Sequence, residues 1–138
     1  MSLVHLKLYG LTAAAFFAID LVWLGVVAVR FYDRHLGPLL REDVVWSAAI
    51  PFYLLYIAGI LVFAVLPGLD VGSVGRAAAL GAFFGLVAYA TFDLTSMALI
   101  RGFGWTVVAV DLAWGTVLTA TVSTVGFYAG RWLGLGPT

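Results

Sequence analysis

Three aspartates, Asp20, Asp93 and Asp111, each stand as the only charged residue inside a hydrophobic stretch long enough to cross a bilayer. A carboxylate near the middle of a membrane costs about 2.5–3.5 kcal/mol on insertion scales, so such a group is normally turned inward and given a partner or a task. No Lys or Arg lies at their depth. Three ionised carboxylates in a low dielectric would repel one another, so some must hold protons or a cation must sit among them. A protonated cluster that exchanges with one membrane face suits proton-coupled transport. A carboxylate cage completed by tyrosine and threonine oxygens would accept a hard cation. A small ligand with a basic or polyol group could also supply the missing donors, and paired carboxylates could act as acid and base on a lipid or isoprenoid or as metal ligands.

The elements that must position these groups follow from composition and run lengths. The chain has 138 residues, is 64% hydrophobic and 10% charged, and contains neither Asn nor Gln. A soluble domain needs roughly a quarter of its residues charged, so most of this surface must face lipid. Four apolar runs span 8–29, 44–66, 77–100 and 105–128, the second stopping at Pro67-Gly68. At about 1.5 Å per residue each is roughly 33–36 Å long, enough for a hydrocarbon core of about 30 Å. The expected fold class is all-α: a polytopic membrane protein forming one antiparallel bundle of four transmembrane helices over 1–138. The first run is too long for a signal-peptide core and is followed by Arg30 rather than a cleavage site, so it should be retained.

An up-down order places the aspartates. Asp20 precedes Arg30 by ten residues, Asp93 precedes Arg101 by eight and Asp111 follows it by ten, so all three should lie about 10–15 Å below one face. Tyr53 falls at a similar depth in the second span, and Tyr56 one turn deeper. On the third span the row Ala77, Gly81, Gly85, Tyr89, Asp93 contains a Gly-x-x-x-Gly pair. On the fourth, Asp111, Gly115, Thr119 and Ser123 form a second small and polar row. Such stripes let helix backbones approach closely and pack against protein rather than lipid. The string Ala18-Ile19-Asp20-Leu21-Val22-Trp23 is echoed by Ala109-Val110-Asp111-Leu112-Ala113-Trp114. Spacing of i, i+3 puts each Trp near the face of its Asp. If the first and fourth spans are antiparallel neighbours, Trp23 could donate to Asp111 and Trp114 to Asp20, a purely structural clamp that competes with the functional reading.

The strings AIDLVWLGVVAVRFYDRHLGPLLRE, FYLLYIAGILVFAVLPGL, YATFDLTSMALIRG and VDLAWGTVLTATVSTV resemble a bacterial integral membrane family catalogued as domain of unknown function 2177. The likeness covers nearly the whole chain, and the repeated Asp-Leu elements are its most specific part. It implies a four-helix prokaryotic inner-membrane protein. The family's third span resembles Tyr-Asp-Leu-Thr-Asn, where this chain reads Phe92-Asp93-Leu94-Thr95-Ser96, so a shorter hydroxyl stands in for a side-chain amide. Thr95 and Ser96 thereby join the candidate ligand set.

Other polar features point less sharply. The 31–43 loop mixes aromatic and charged residues that could gate the aspartates, and His35 with Asp33 and Glu42 could hold a metal, although one imidazole with scattered carboxylates is a poor ligand set. An interfacial loop with its arginines reaching toward headgroups is the favoured alternative. Trp46, Trp105 and Trp132 lie near span ends, where aromatic belts are expected. Zero net charge argues against nucleic-acid partners, and the lack of cysteine removes disulfides and thiol chemistry. No residue pattern names a cofactor. The leading expectation is a proton- or cation-coupled transporter or small-ligand-binding protein of the inner membrane. The alternatives are a membrane-embedded lipid-modifying enzyme or an accessory subunit of a membrane complex, with a homodimer or larger assembly open in each case. Arg30, Arg34, Arg41 and Arg101 against Lys7, Arg76 and Arg131 place the first loop on the cytoplasmic side by a margin of one.

Overall fold

A computed structural model describes residues 2–40 and 43–137. Among the described residues there are four long helices and no strand: α1 (Leu3–Leu39), α2 (Trp46–Val71), α3 (Val74–Leu99) and α4 (Trp105–Trp132). Most of each apolar stretch faces outward, with Leu55, Val26 and Leu99 among the most exposed side chains. Trp46, Trp105 and Trp132 are exposed near helix ends. The inward faces meet in a core of Leu8, Phe16, Ile57, Ile60, Leu118 and Val122. A smaller cluster of Leu36, Phe103, Val107 and Val108 closes the first-loop end.

The closest pairing is α3 with α4, built on the two small-residue rows. A Cβ on Gly81 would lie 2.8 Å from the Thr119 carbonyl oxygen and 2.7 Å from the Ser123 Cβ, and one on Gly85 would lie 2.6 Å from Thr119 Oγ1. These two backbones therefore approach at a distance that only glycine permits. The contacts climb α4 as they descend α3, from Gly81 against Ser123 to Tyr89 against Gly115. The same opposed order joins Gly59 to Phe84 and Gly68 to Ala77 between α2 and α3, so neighbouring helices run antiparallel.

Two helices depart from the runs read in the sequence. α1 continues past Val29 as an α-helix to Leu36 and a 3-10 turn over Gly37–Leu39, so much of the expected loop is helical. α2 does not stop at Pro67-Gly68. It passes through both and ends after Val71, where Gly72 at φ 66° turns the chain left-handed and Ser73 N–H returns to the Gly68 carbonyl at 2.9 Å. The proline is tolerated because it comes two residues after a widened π turn over Leu61–Val65. That turn relieves the clash between the ring and the preceding turn, so only the bond of the missing N–H is lost. Gly68 is needed there because a Cβ would sit 2.6 Å from that of Ala77. Ser73 then caps α3 by accepting the Arg76 N–H at 3.1 Å.

A second π turn, Leu24–Ala28, interrupts α1. In an unbroken α-helix, residues twelve apart lie about 120° apart around the axis; one residue absorbed in a π turn reduces this to about 20°. Ile57 and Leu69 of α2 are twelve apart and both lie in the core. Asp20 and Tyr32 of α1 are also twelve apart, and both face the same interior space.

Candidate functional site

That space is a cavity of about 470 Å³ on the first-loop side of the core, walled by all four helices. From α1 come Phe16, Asp20, Trp23 and Tyr32; from α2, Phe52, Tyr53 and Tyr56; from α3, Ala88, Tyr89 and Phe92; from α4, Asp111 and Trp114. Among the described residues no Lys, Arg or His lines it. Leu24, Phe52 and Phe92, at its margin, are also exposed on the outer surface of the bundle, so the cavity reaches toward the lipid-facing side.

The three aspartates are buried, at 8, 0 and 7% exposure for Asp20, Asp93 and Asp111. They do not form one cluster. Asp93 lies behind the cavity wall, next to Asp111 across the α3–α4 seam, with the two carboxyl groups in hydrogen-bonding reach. Neither Asp93 oxygen meets a donor from the described residues. A bond between these two carboxyls exists only when a proton lies between them, since ionised carboxylates are acceptors alone. Asp111 faces the cavity and accepts a hydrogen bond from the Tyr32 hydroxyl. Asp20 stands on another wall, near Trp114 and Tyr53. Tyr89 lies between the two walls, close to both Asp20 and Asp111.

Two expectations are corrected by these positions. The reciprocal Trp–Asp clamp is replaced by a stack: the rings of Trp23 and Trp114 lie 4.3 Å apart and within 9° of parallel. The Trp114 N–H is near Asp20 but is not aligned to donate, and has no hydrogen-bond partner among the described residues. Among the described residues no three of His, Asp or Glu come together as a metal-ligand set, so the three-carboxylate cage for a hard cation is not assembled. In the first loop, His35 donates through Nδ1 to the Phe31 carbonyl at 2.9 Å and Asp33 points outward; Glu42 and Arg41 lie outside the described residues.

The remaining candidates divide. Tyr53 packs edge-on against Phe16 and Phe17. The Tyr56 hydroxyl shares a 2.8 Å hydrogen bond with Thr119, and Tyr89 covers Gly115, where a Cβ would collide with its ring. Ser96 is buried one turn from Asp93, whereas Thr95 is exposed on the outer face and takes no part. Phe16, Phe52, Phe92 and above all Tyr32 were not among the residues marked by the sequence. The twelve-residue gap from Asp20 assigns Tyr32 to the wrong face unless the π turn is known, and the Leu24–Ala28 sequence carries no signal that marks it.

The helices and their buried carboxyls define a four-span membrane protein with an acidic, aromatic interior cavity. The chain belongs to the family described as predicted membrane protein (DUF2177), whose model matches residues 5–128. No curated protein and no solved structure matches it.

Proposed function

We propose that this protein, set in a bacterial inner membrane, binds a proton or a small cationic ligand at Asp20 and the Asp93–Asp111 pair as part of transport across that membrane. The observation that carries this reading is the imbalance of the cavity: two carboxyls line it, a third backs it, and among the described residues no basic side chain faces them. Tyr32 supplies a single hydroxyl proton to Asp111. Asp93, wholly buried beside Asp111, can bond to its neighbour only through a proton held between them. A purely structural set of buried polar groups would be expected to be satisfied internally, because each unmet group costs free energy. Neither Asp93 oxygen has a donor among the described residues unless Asp111 carries that proton. The gap fits a site whose missing partner is a mobile proton or cation.

The test separates loss of charge from loss of a hydrogen bond. Asn is nearly isosteric with Asp and still accepts a bond, but it cannot titrate. Wild-type protein in detergent should shift its melting temperature with pH or with added cations. Asp20→Asn, Asp93→Asn and Asp111→Asn should remain folded and lose that shift. A wild-type melting temperature indifferent to both would leave the aspartates a packing role only.

A further inference from the structure

A second hollow, of about 380 Å³, runs along the outer surface between α2 and α3. Its walls are Leu55, Ala58, Val62 and Phe63 of α2 with Phe84 of α3, and Leu55, Val62 and Phe63 are among the most exposed apolar residues of the chain. Gly59 forms its floor: a Cβ there would lie 2.7 Å from the Phe84 ring, so glycine lets that ring lie against the helix. Phe52 and Tyr56 line both this groove and the acidic cavity. The two spaces are therefore neighbours around one pair of aromatic rings, one wholly apolar and open to lipid, the other carrying the carboxyls.

Resting on the reading of Asp20 and Asp111 as a cation site, we infer that the ligand is an organic ammonium bearing an alkyl chain, its head in the cavity and its chain in the α2–α3 groove. The head is specified by charge and ring chemistry. Asp20 is 8% exposed and lines the cavity, with the Trp114 N–H nearby but not aligned to donate to it. Around it stand Tyr53, Tyr89 and Trp114, with Trp23 stacked on Trp114, and the ring faces this stack leaves open attract a cation within about 6 Å of the ring centre. An organic ammonium needs no ring of oxygen ligands, which agrees with the absence of a metal-ligand set among the described residues. A headgroup carrying phosphate is disfavoured, because its negative charge would meet Asp20 and Asp111 with no basic side chain among the described lining residues to offset it. The chain is specified by the groove, which offers no polar contact. The combined size lies in the range of small-molecule sites.

The test uses a photoactivatable octyltrimethylammonium with the reactive group at the chain end, and a neutral probe with the same chain and a hydroxyl head, both on the full-length protein in maltoside micelles. The cationic probe should label the 52–63 stretch and Phe84, and at least tenfold excess tetramethylammonium chloride should suppress that labelling where sodium chloride at equal concentration does not. Asp20→Asn should reduce groove labelling about tenfold, while the neutral probe should label wild type and variant alike. Labelling spread over all lipid-facing helices, or unaffected by tetramethylammonium, would overturn the proposal, and the competition needs no variant to fold. If labelling fails while the aspartate-dependent shift in melting temperature persists, the ligand class is wrong and the cation or proton site stands. If both fail, the site reading falls too.

Discussion

Tyr32 is the residue that most changes how the acidic interior works, since it ties the end of α1 to Asp111 on α4. Interhelical hydrogen bonds in membranes are worth about 0.6 kcal/mol on average and up to about 2. Tyr32→Phe should lower stability by that order, and the loss should vanish in an Asp111→Ala background, which removes the acceptor; additive losses in a double-mutant cycle would show that the two residues do not interact. The tryptophans illustrate a different limit of residue-level reading. Spacing of i, i+3 placed Trp23 and Trp114 beside their aspartates, but the direction of an indole N–H is set by side-chain rotation, which the spacing leaves free. Stacking the two rings covers one face of each against the other. Thr95 fails for the opposite reason: two residues from Asp93, it lies about 200° round the helix and faces outward.

At the scale of the helix, the small-residue rows were legible because glycine repeats at four-residue spacing admit few explanations inside an apolar run. Their mutual contact makes a sharp expectation. Gly85→Ala and Gly81→Ala should each destabilise the α3–α4 pair, since the new Cβ would press on Thr119 or on backbone of α4. Gly10→Ala, with nothing within 4 Å of the new atom, should be neutral or gain up to about 1 kcal/mol from helix propensity. Equal effects in urea or thermal denaturation would mean that the seam is loose. The π turns were not legible, because a single extra residue leaves hydropathy unchanged while rotating everything beyond it by about 100°. The helical course through Pro67 escaped for the same reason: the proline reads as a stop until the wide turn before it is seen.

The molecule as a whole presents apolar surface on nearly all sides, with its arginines Arg30, Arg34, Arg76, Arg101 and Arg131 exposed and outside the helix middles. The number and order of spans were legible, because length and hydropathy alone decide them. Orientation rests on an excess of one basic residue on the first-loop side. We propose that the first loop is cytoplasmic and both termini periplasmic, so alkaline phosphatase fused after Pro137 should be active and a green fluorescent protein at the same place dark. The reverse pattern would invert the bundle and with it the face nearest the aspartates. A chain inserted in both orientations would give signal from both reporters.

The widened turn at Leu24–Ala28 also bears on how relatives of this chain should be compared. Asp20 and Tyr32 reach the same cavity across twelve residues only because one of those residues is absorbed; a helix without the turn would achieve the same placement with eleven. Removing the outward-facing Val26 should therefore close the turn and preserve the Tyr32–Asp111 bond, whereas adding one alanine beside it should swing Tyr32 away and abolish the coupling seen in the double-mutant cycle. A search pattern that fixes the Asp-to-Tyr interval will discard sequences with an equivalent site. An alignment gap of one position within residues 24–28 is then neutral punctuation rather than a sign of divergence.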